Sequence, residues 1–269
     1  MSTLRQTLKR SSAAPLLVMP QRMLNVAKTE APRLAEIGSW LVRSRETTNF
    51  TYDLKPISRE HLAWFVAELA GKNVNEIRGY FDEVERDEAL RSHIRSATQL
   101  SDLRHVADLK PRYGRRIGWY AFVRALRPEH VVETGTDKGF GTCVLAAALL
   151  ANGSGRLTTI DIDDSSGYLI TGAYAEVTDR VISDALHVLP NLHNVGLFLH
   201  DSDHTHDHEE NEFKAVSSGM VPGGFVLSDN SHCSERLAKW AENTGRHFAF
   251  FREDPAKHWY PGGGIGAAW

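Results

Sequence analysis

Apolar residues follow two different rhythms along the chain. Up to about Lys110 they recur three or four positions apart, as on one face of a helix, with few β-branched runs. Ser58 stands before His61-Leu-Ala-Trp-Phe-Val-Ala-Glu-Leu69, and Gly71 follows as a stop signal. Asn73, with Glu76 three positions later, resembles a capping box and opens a helix through Ile77, Phe81 and Val84. A third helix is predicted from Arg115 to Leu126, ended by Pro128. Residues 1–110 are thus expected to form a helical N-terminal region.

From His130 the rhythm changes. Short apolar runs now alternate with helical segments: Val131–Glu133, Leu157–Ile160, Arg180–Ile182, Gly196–Leu199 and Phe225–Leu227. Two more runs, Phe248–Phe251 and Gly264–Ala268, close the chain without a long helix between them. Alternation of this kind predicts an α/β domain over 111–269, with a mostly parallel seven-stranded sheet and an antiparallel C-terminal hairpin. In such sheets ligands bind beyond the carboxyl ends of the strands, so the residues just after each run carry the information.

Composition narrows the picture. The chain has 269 residues, 42% hydrophobic, with a formal net charge of −3, so no global basic field advertises nucleic acid. The first fifty residues are locally basic, eight Lys or Arg against three Glu, an excess read as a solvated surface. The two cysteines, Cys143 and Cys233, stand far apart and suggest neither a disulfide framework nor a zinc site. The apolar stretch Ala13–Met19 contains Pro15, is followed by Pro20, and is too short to span a bilayer. A cytoplasmic protein without membrane or nucleic-acid partners is the expectation.

The first strand leads into Glu133-Thr-Gly135-Thr-Asp137-Lys-Gly139-Phe-Gly141, and then into an apolar helix. Such glycines let the backbone turn tightly and approach a ligand at a helix N-terminus. The dinucleotide spacing GxGxxG is absent, because Asp137 stands where its second glycine belongs. A carboxylate there would meet a pyrophosphate badly but would tolerate a ligand carrying a sulfonium and an ammonium. The second strand ends at Asp161, 28 positions after Glu133, where an acid can accept hydrogen bonds from ribose hydroxyls. The third run ends in Ser183-Asp184-Ala185, with Asp184 a candidate for an adenine amino group.

ExGxxxG, the IDI strand end and SDALHVLP together resemble motifs I to III of class I S-adenosylmethionine (SAM)-dependent methyltransferases, over roughly residues 115–269. The resemblance implies a Rossmann-like methyltransferase fold with SAM as cofactor. It places Glu133, Gly135 and Gly139 along the methionine part, Asp161 on the ribose and Asp184 near the adenine, with Thr136 and Ala185 also in the cofactor site.

The fourth run ends in His200-Asp201-Ser-Asp203-His204 and the fifth in Ser228-Asp229-Asn230. On adjacent parallel strands Asp201, Asp229 and Asn230 would offer three hard oxygen ligands, a set that suits Mg²⁺. His204, just past the strand end, would act as general base on an acceptor hydroxyl. Asp207, Glu209, Glu210 and Glu212 are expected to form a solvated helix start, and a three-histidine site with His206 and His208 is disfavoured. Asp201 with Asp229-Asn230 is similar to the metal ligands of the catechol and caffeoyl-CoA O-methyltransferases, which carry a lysine where His204 stands. DxDH resembles instead the macrolide sugar O-methyltransferases, which carry Asp-Asp where this chain has Asp229-Asn230. The acceptor is therefore left between a sugar hydroxyl, a phenol and another natural-product hydroxyl.

Three functions remain open on the sequence: a Mg²⁺-dependent O-methyltransferase, a metal-independent N- or C-methyltransferase, and a SAM-binding protein without catalysis. Intact Asp201, His204, Asp229 and Asn230 favour the first. The N-terminal helices are expected to cap the acceptor side or to make a homo-oligomer contact. Trp40, Phe50, Tyr52 and Trp259 are aromatic candidates for a pocket, with core packing the better reading of each.

Overall fold

The structure, a computed structural model, describes residues 14–47, 51–229 and 231–269. Two compact units are present. One comprises the chain up to Ser44 together with Lys257–Trp259, the other Arg45–Ala256 with Tyr260–Trp269.

The first unit is a 30-residue helix, α1 (Ala14–Arg43), with Pro20 and Pro32 inside it. Each proline leaves a helix carbonyl without its usual N–H. Apolar side chains of α1 such as Leu16, Met23, Leu34 and Val42 are exposed. Near its end Trp40 packs against His258 and Trp259, with ring centroids 5.3 and 5.8 Å away. Both tryptophans are half-buried and packed on aromatic rings; Phe50 lies outside the described residues.

The second unit begins with a two-residue strand, β1 (Asp53–Leu54), followed by α2 (Pro56–Ala70), α3 (Val74–Arg86), α4 (Glu88–Leu100) and α5 (Arg116–Leu126). Gly71 ends α2 in the left-handed conformation, as the sequence predicts, but the helix starts at Pro56, so Ser58 lies inside it and not before it. Asn73 caps α3 by accepting from the backbone N–H of Asn75. Asp87 caps α4 through the N–H of Leu90.

The sheet follows: β2 (His130–Thr134), α6 (Phe140–Asn152), β3 (Arg156–Asp161), α7 (Ala173–Glu176), β4 (Thr178–Ile182), α8 (Ala185–Val188) and β5 (Val195–His200). It is completed by α9 (His206–Ser217), β6 (Met220–Asp229), α10 (Arg236–Thr244), β7 (Phe248–Arg252), β8 (Pro255–Ala256) and β9 (Gly264–Ala268). Strand order is β4-β3-β2-β5-β6-β9-β7. The first five strands are parallel, and β9 runs antiparallel to both β6 and β7. The C-terminal hairpin thus forms, with its second strand inserted between β6 and its first.

Side chains alternate across the sheet and feed two cores. Val131, Leu197 and Leu227 face α2, α3, α5 and α6, meeting Leu62, Phe81, Phe122 and Leu145. Val132, Phe198 and Val226 face the other way, onto Phe213 of α9 and Trp240 of α10. The boundary expected at residue 110 falls inside this unit, because α2 and α3 share one apolar core with the strands. No helix among the described residues is long and apolar enough to cross a membrane.

Candidate active site

The turn after β2 is held by the acids that flank it. Gly135, at φ +89°, has no room for a side chain: a Cβ built there would fall 2.0 Å from the carbonyl oxygen of Asp201. Its absence lets the end of β5 lie directly beside the turn. Asp161, ending β3, accepts from the backbone N–H groups of Thr136 and Asp137 through Oδ2, both at 2.9 Å. Its Oδ1 accepts from the N–H of Asp163. Glu133 is buried on β2 and accepts from the hydroxyls of Thr142 and Thr159 at 2.6 and 2.8 Å. Burial pushes its carboxyl up to about 7, although both hydroxyls and Arg116 pull the other way. Gly139, at φ +85°, opens α6, where a Cβ would meet Ile170 at 2.8 Å.

A cavity of about 640 Å³ runs along the carboxyl ends of the five parallel strands. From β4 to β6 its walls include Asp184, Asp161, Gly135, Asp201 and Asp229. Thr136 and Ala185 also line it, whereas Glu133 and Gly139 do not, so these two shape the turn from behind. Asp184 caps α8 through the N–H of Leu186 while facing the same space.

At the β5–β6 side, one ligand atom each of Asp201, His204 and Asp229 lies within 4.8 Å of the others. Asn230 lies outside the described residues. Behind Asp229 stands a buried cation that the sequence reading missed. Arg115 grips both carboxylate oxygens of Asp229 through Nε and Nη2. Its Nη1 donates to Glu253 at 2.7 Å and to the Tyr52 hydroxyl at 2.6 Å, and that hydroxyl donates on to Glu253 at 2.8 Å. Tyr52 stands just before β1 and Glu253 lies between β7 and β8, so three distant segments meet on one guanidinium.

Their charges interlock. Burial alone would raise Asp229, but the Arg115 charge and hydrogen bonds hold it below the usual carboxylate range. Asp201 is pushed well above that range by burial and by the charge of Asp229. Burial lowers His204, so its imidazole is neutral near pH 7.

The expected solvated start of α9 needs correction. Asp207 is exposed, but Glu209 and Glu212 are buried. Glu209 accepts from Ser228 and Ser234. Glu212 accepts from the Thr134 and Ser202 hydroxyls and bonds His200 and His208 at 2.7 and 2.9 Å. Burial opposes its ionisation, yet the bonds from His200 and His208 bring it down to about 2. Both acids point inward because the helix starts against the sheet edge, where strand-end hydroxyls and imidazoles supply partners.

Residues 132–231 match a family described as a methyltransferase domain. No curated protein matches the chain. Among solved structures, the O-methyltransferase TomG from Streptomyces achromogenes, in complex with SAM, superposes with a TM-score of 0.51 at 21% identity. That match covers 68% of this chain and 89% of TomG. Cofactor-bound Rv0187 from MTB gives 0.51 at 18% identity, over 67% of this chain and 87% of its own. The match of residues 132–231 to a methyltransferase-domain family and the superposition on SAM-bound TomG agree, and the chain has the fold of SAM-dependent methyltransferases.

Proposed function

We propose that the chain is a Mg²⁺-dependent O-methyltransferase that moves the methyl group of SAM to a hydroxyl of a small molecule, a natural-product sugar or a phenol. The observation that carries this reading is one cavity joining Asp161 and Asp184 to Asp201 and Asp229. Adenosine hydroxyls and amine would find acceptors at the first pair. The second pair stands on neighbouring strands, where an acceptor would meet the methyl group. TomG, similar in fold, is an O-methyltransferase involved in tomaymycin synthesis, which is in keeping with a natural-product acceptor.

The donor set fits a hard divalent cation. Burial and then the charge of Asp229 hold Asp201 above the usual carboxylate range, against the pull of Arg115 and Arg116, and a bound cation would relieve both effects. Asp201 and Asp229 would hold the ion, with Asn230 as a further oxygen ligand. A bound Mg²⁺ would supply a Lewis acid that lowers the pKa of the acceptor hydroxyl. His204 then has one of two roles. As a neutral imidazole it can take the hydroxyl proton; its closeness to both carboxylates favours a second reading, as a third ligand. Arg115 holds Asp229 in place, while Tyr52 closes the acceptor side of the cavity.

Transfer of labelled methyl from SAM to a panel of sugars and phenols, with and without a chelator, tests the proposal. Transfer to oxygen that disappears on chelation and returns with Mg²⁺ supports it. Transfer that survives exhaustive chelation moves the chain to the metal-independent alternative, and no transfer to any hydroxyl leaves a SAM-binding protein without this activity. His204→Ala separates the two roles of the histidine. A base predicts unchanged metal affinity and a rate lower by about 10²–10⁴-fold; a ligand predicts weaker metal binding.

A further inference from the structure

The cavity has a second guanidinium, and its position suits it to a task that the metal cluster does not perform. Arg116 is 8% exposed and lines the cavity beside Gly135 and Thr136. Its guanidinium lies over the rings of Trp119 and Phe140, at 5.4 and 5.1 Å, so two aromatic faces hold it. Phe140 is the first residue of α6, which places this cation where the turn enters the helix.

We propose that Arg116 binds the α-carboxylate of the cofactor. This rests on SAM as the cofactor, and extends it to an atom that no acidic motif can serve. Along the strand ends the acids at β4 and β3 suit the adenosine, so the amino-acid tail would extend toward β2 and beyond. There the walls include Asp137, which repels a carboxylate, and Asp201 and Asp229, which are assigned to the ion. Arg115 is engaged with Asp229, Glu253 and Tyr52. Arg116 has the matching charge at the matching place, and five N–H donors let it serve a carboxylate alongside other partners. Its charge also reaches Glu133, Asp201 and Asp229, as expected of a group standing between the glycine turn and the metal cluster.

The test compares two ligands by calorimetry: S-adenosylhomocysteine (SAH), and its decarboxylated analogue 5′-(3-aminopropylthio)adenosine, which keeps the ammonium. Wild-type protein should bind SAH about 10–100-fold more tightly, the usual weight of a charged hydrogen-bonded pair. In Arg116→Gln that advantage should vanish, with SAH falling to the level of the analogue and the analogue itself moving less than about threefold. Arg116→Lys, which keeps the charge and the apolar stem, should retain part of it. Equal weakening of both ligands in either variant would assign Arg116 a structural role and overturn the inference. So would wild-type protein that does not distinguish the ligands, a result that needs no variant to fold. Wild-type protein that binds neither ligand would instead overturn the cofactor reading beneath it.

Discussion

At the scale of single residues, the site depends on how each buried charge is answered. Asp229 is answered by Arg115, so Asp229→Ala removes more than a ligand. It leaves Nε and Nη2 of a buried guanidinium without their carboxylate, with Glu253 still paired to Nη1, and the expected loss is about 3 kcal/mol of stability. Asp201 meets Asp229 through a side-chain hydrogen bond instead of an ion pair with an arginine, and an amide can keep that bond, so Asp201→Asn should melt close to wild type. Thermal unfolding of the two variants checks the contrast; equal loss would deny Arg115 its structural role. Glu133 gives a second contrast. Its folded pKa of about 7 lies above the ordinary value of 4.5, so the folded state binds the proton more tightly. Stability from this group is present below pH 4.5 and lost as pH rises through 7, by at most about 3 kcal/mol. Glu133→Gln should therefore unfold with a flatter pH dependence and gain on wild type at pH 8. Denaturant titrations at pH 5 and 8 measure this, and identical pH slopes would contradict it.

Among elements, the strands were legible because each is an apolar run that ends in a polar turn. Strand β9 spans Gly264–Ala268 in both the sequence reading and the structure, and β2, β3 and β5 gain only one or two flanking residues. Helix α4 escaped notice because it buries only Leu90, Ile94 and Thr98, a stripe too thin to mark against its polar surroundings. The Arg115 network was illegible for another reason. Its partners lie 63, 114 and 138 positions away, and no local spacing announces them. One signal was available: two arginines open a helix whose residues Ile117–Val123 are all buried, so these charges had to find partners inside. The placement of Asp161, Asp184, Asp201 and Asp229 on one cavity followed from strand-end logic, while the backbone duty of Asp161 did not. Helix α9 supplies the prediction at this scale, since Glu212 ties it to the ends of β2 and β5. With a folded pKa of about 2, its contribution is full above pH 4.5 and is lost as pH falls through 2. Glu212→Gln should cost about 1–3 kcal/mol at pH 7, and the gap from wild type should narrow toward pH 3. A gap that is constant with pH would show that ionisation of Glu212 is not what anchors the helix.

For the whole molecule, the division into units matters more than the change of rhythm at His130. Leu62, Ile77 and Phe81 are fully buried in the core that also holds Val131 and Leu145. A chain beginning at Lys110 would bare that face and is expected to aggregate or fail to fold. One beginning at Arg45 keeps the second unit entire and should retain its circular dichroism, its melting transition and SAH binding. A soluble, cofactor-binding 110–269 fragment would show that α2 to α4 are dispensable.

The proposed chemistry requires an ion and the cofactor to meet in one cavity. Calorimetric titration of Mg²⁺ into protein saturated with SAH reads this without knowledge of the acceptor. The expected result is one saturable site in wild type, weakened at least about tenfold in Asp201→Asn while SAH affinity holds. No saturable Mg²⁺ binding in wild type, or equal binding in Asp201→Asn, would contradict it.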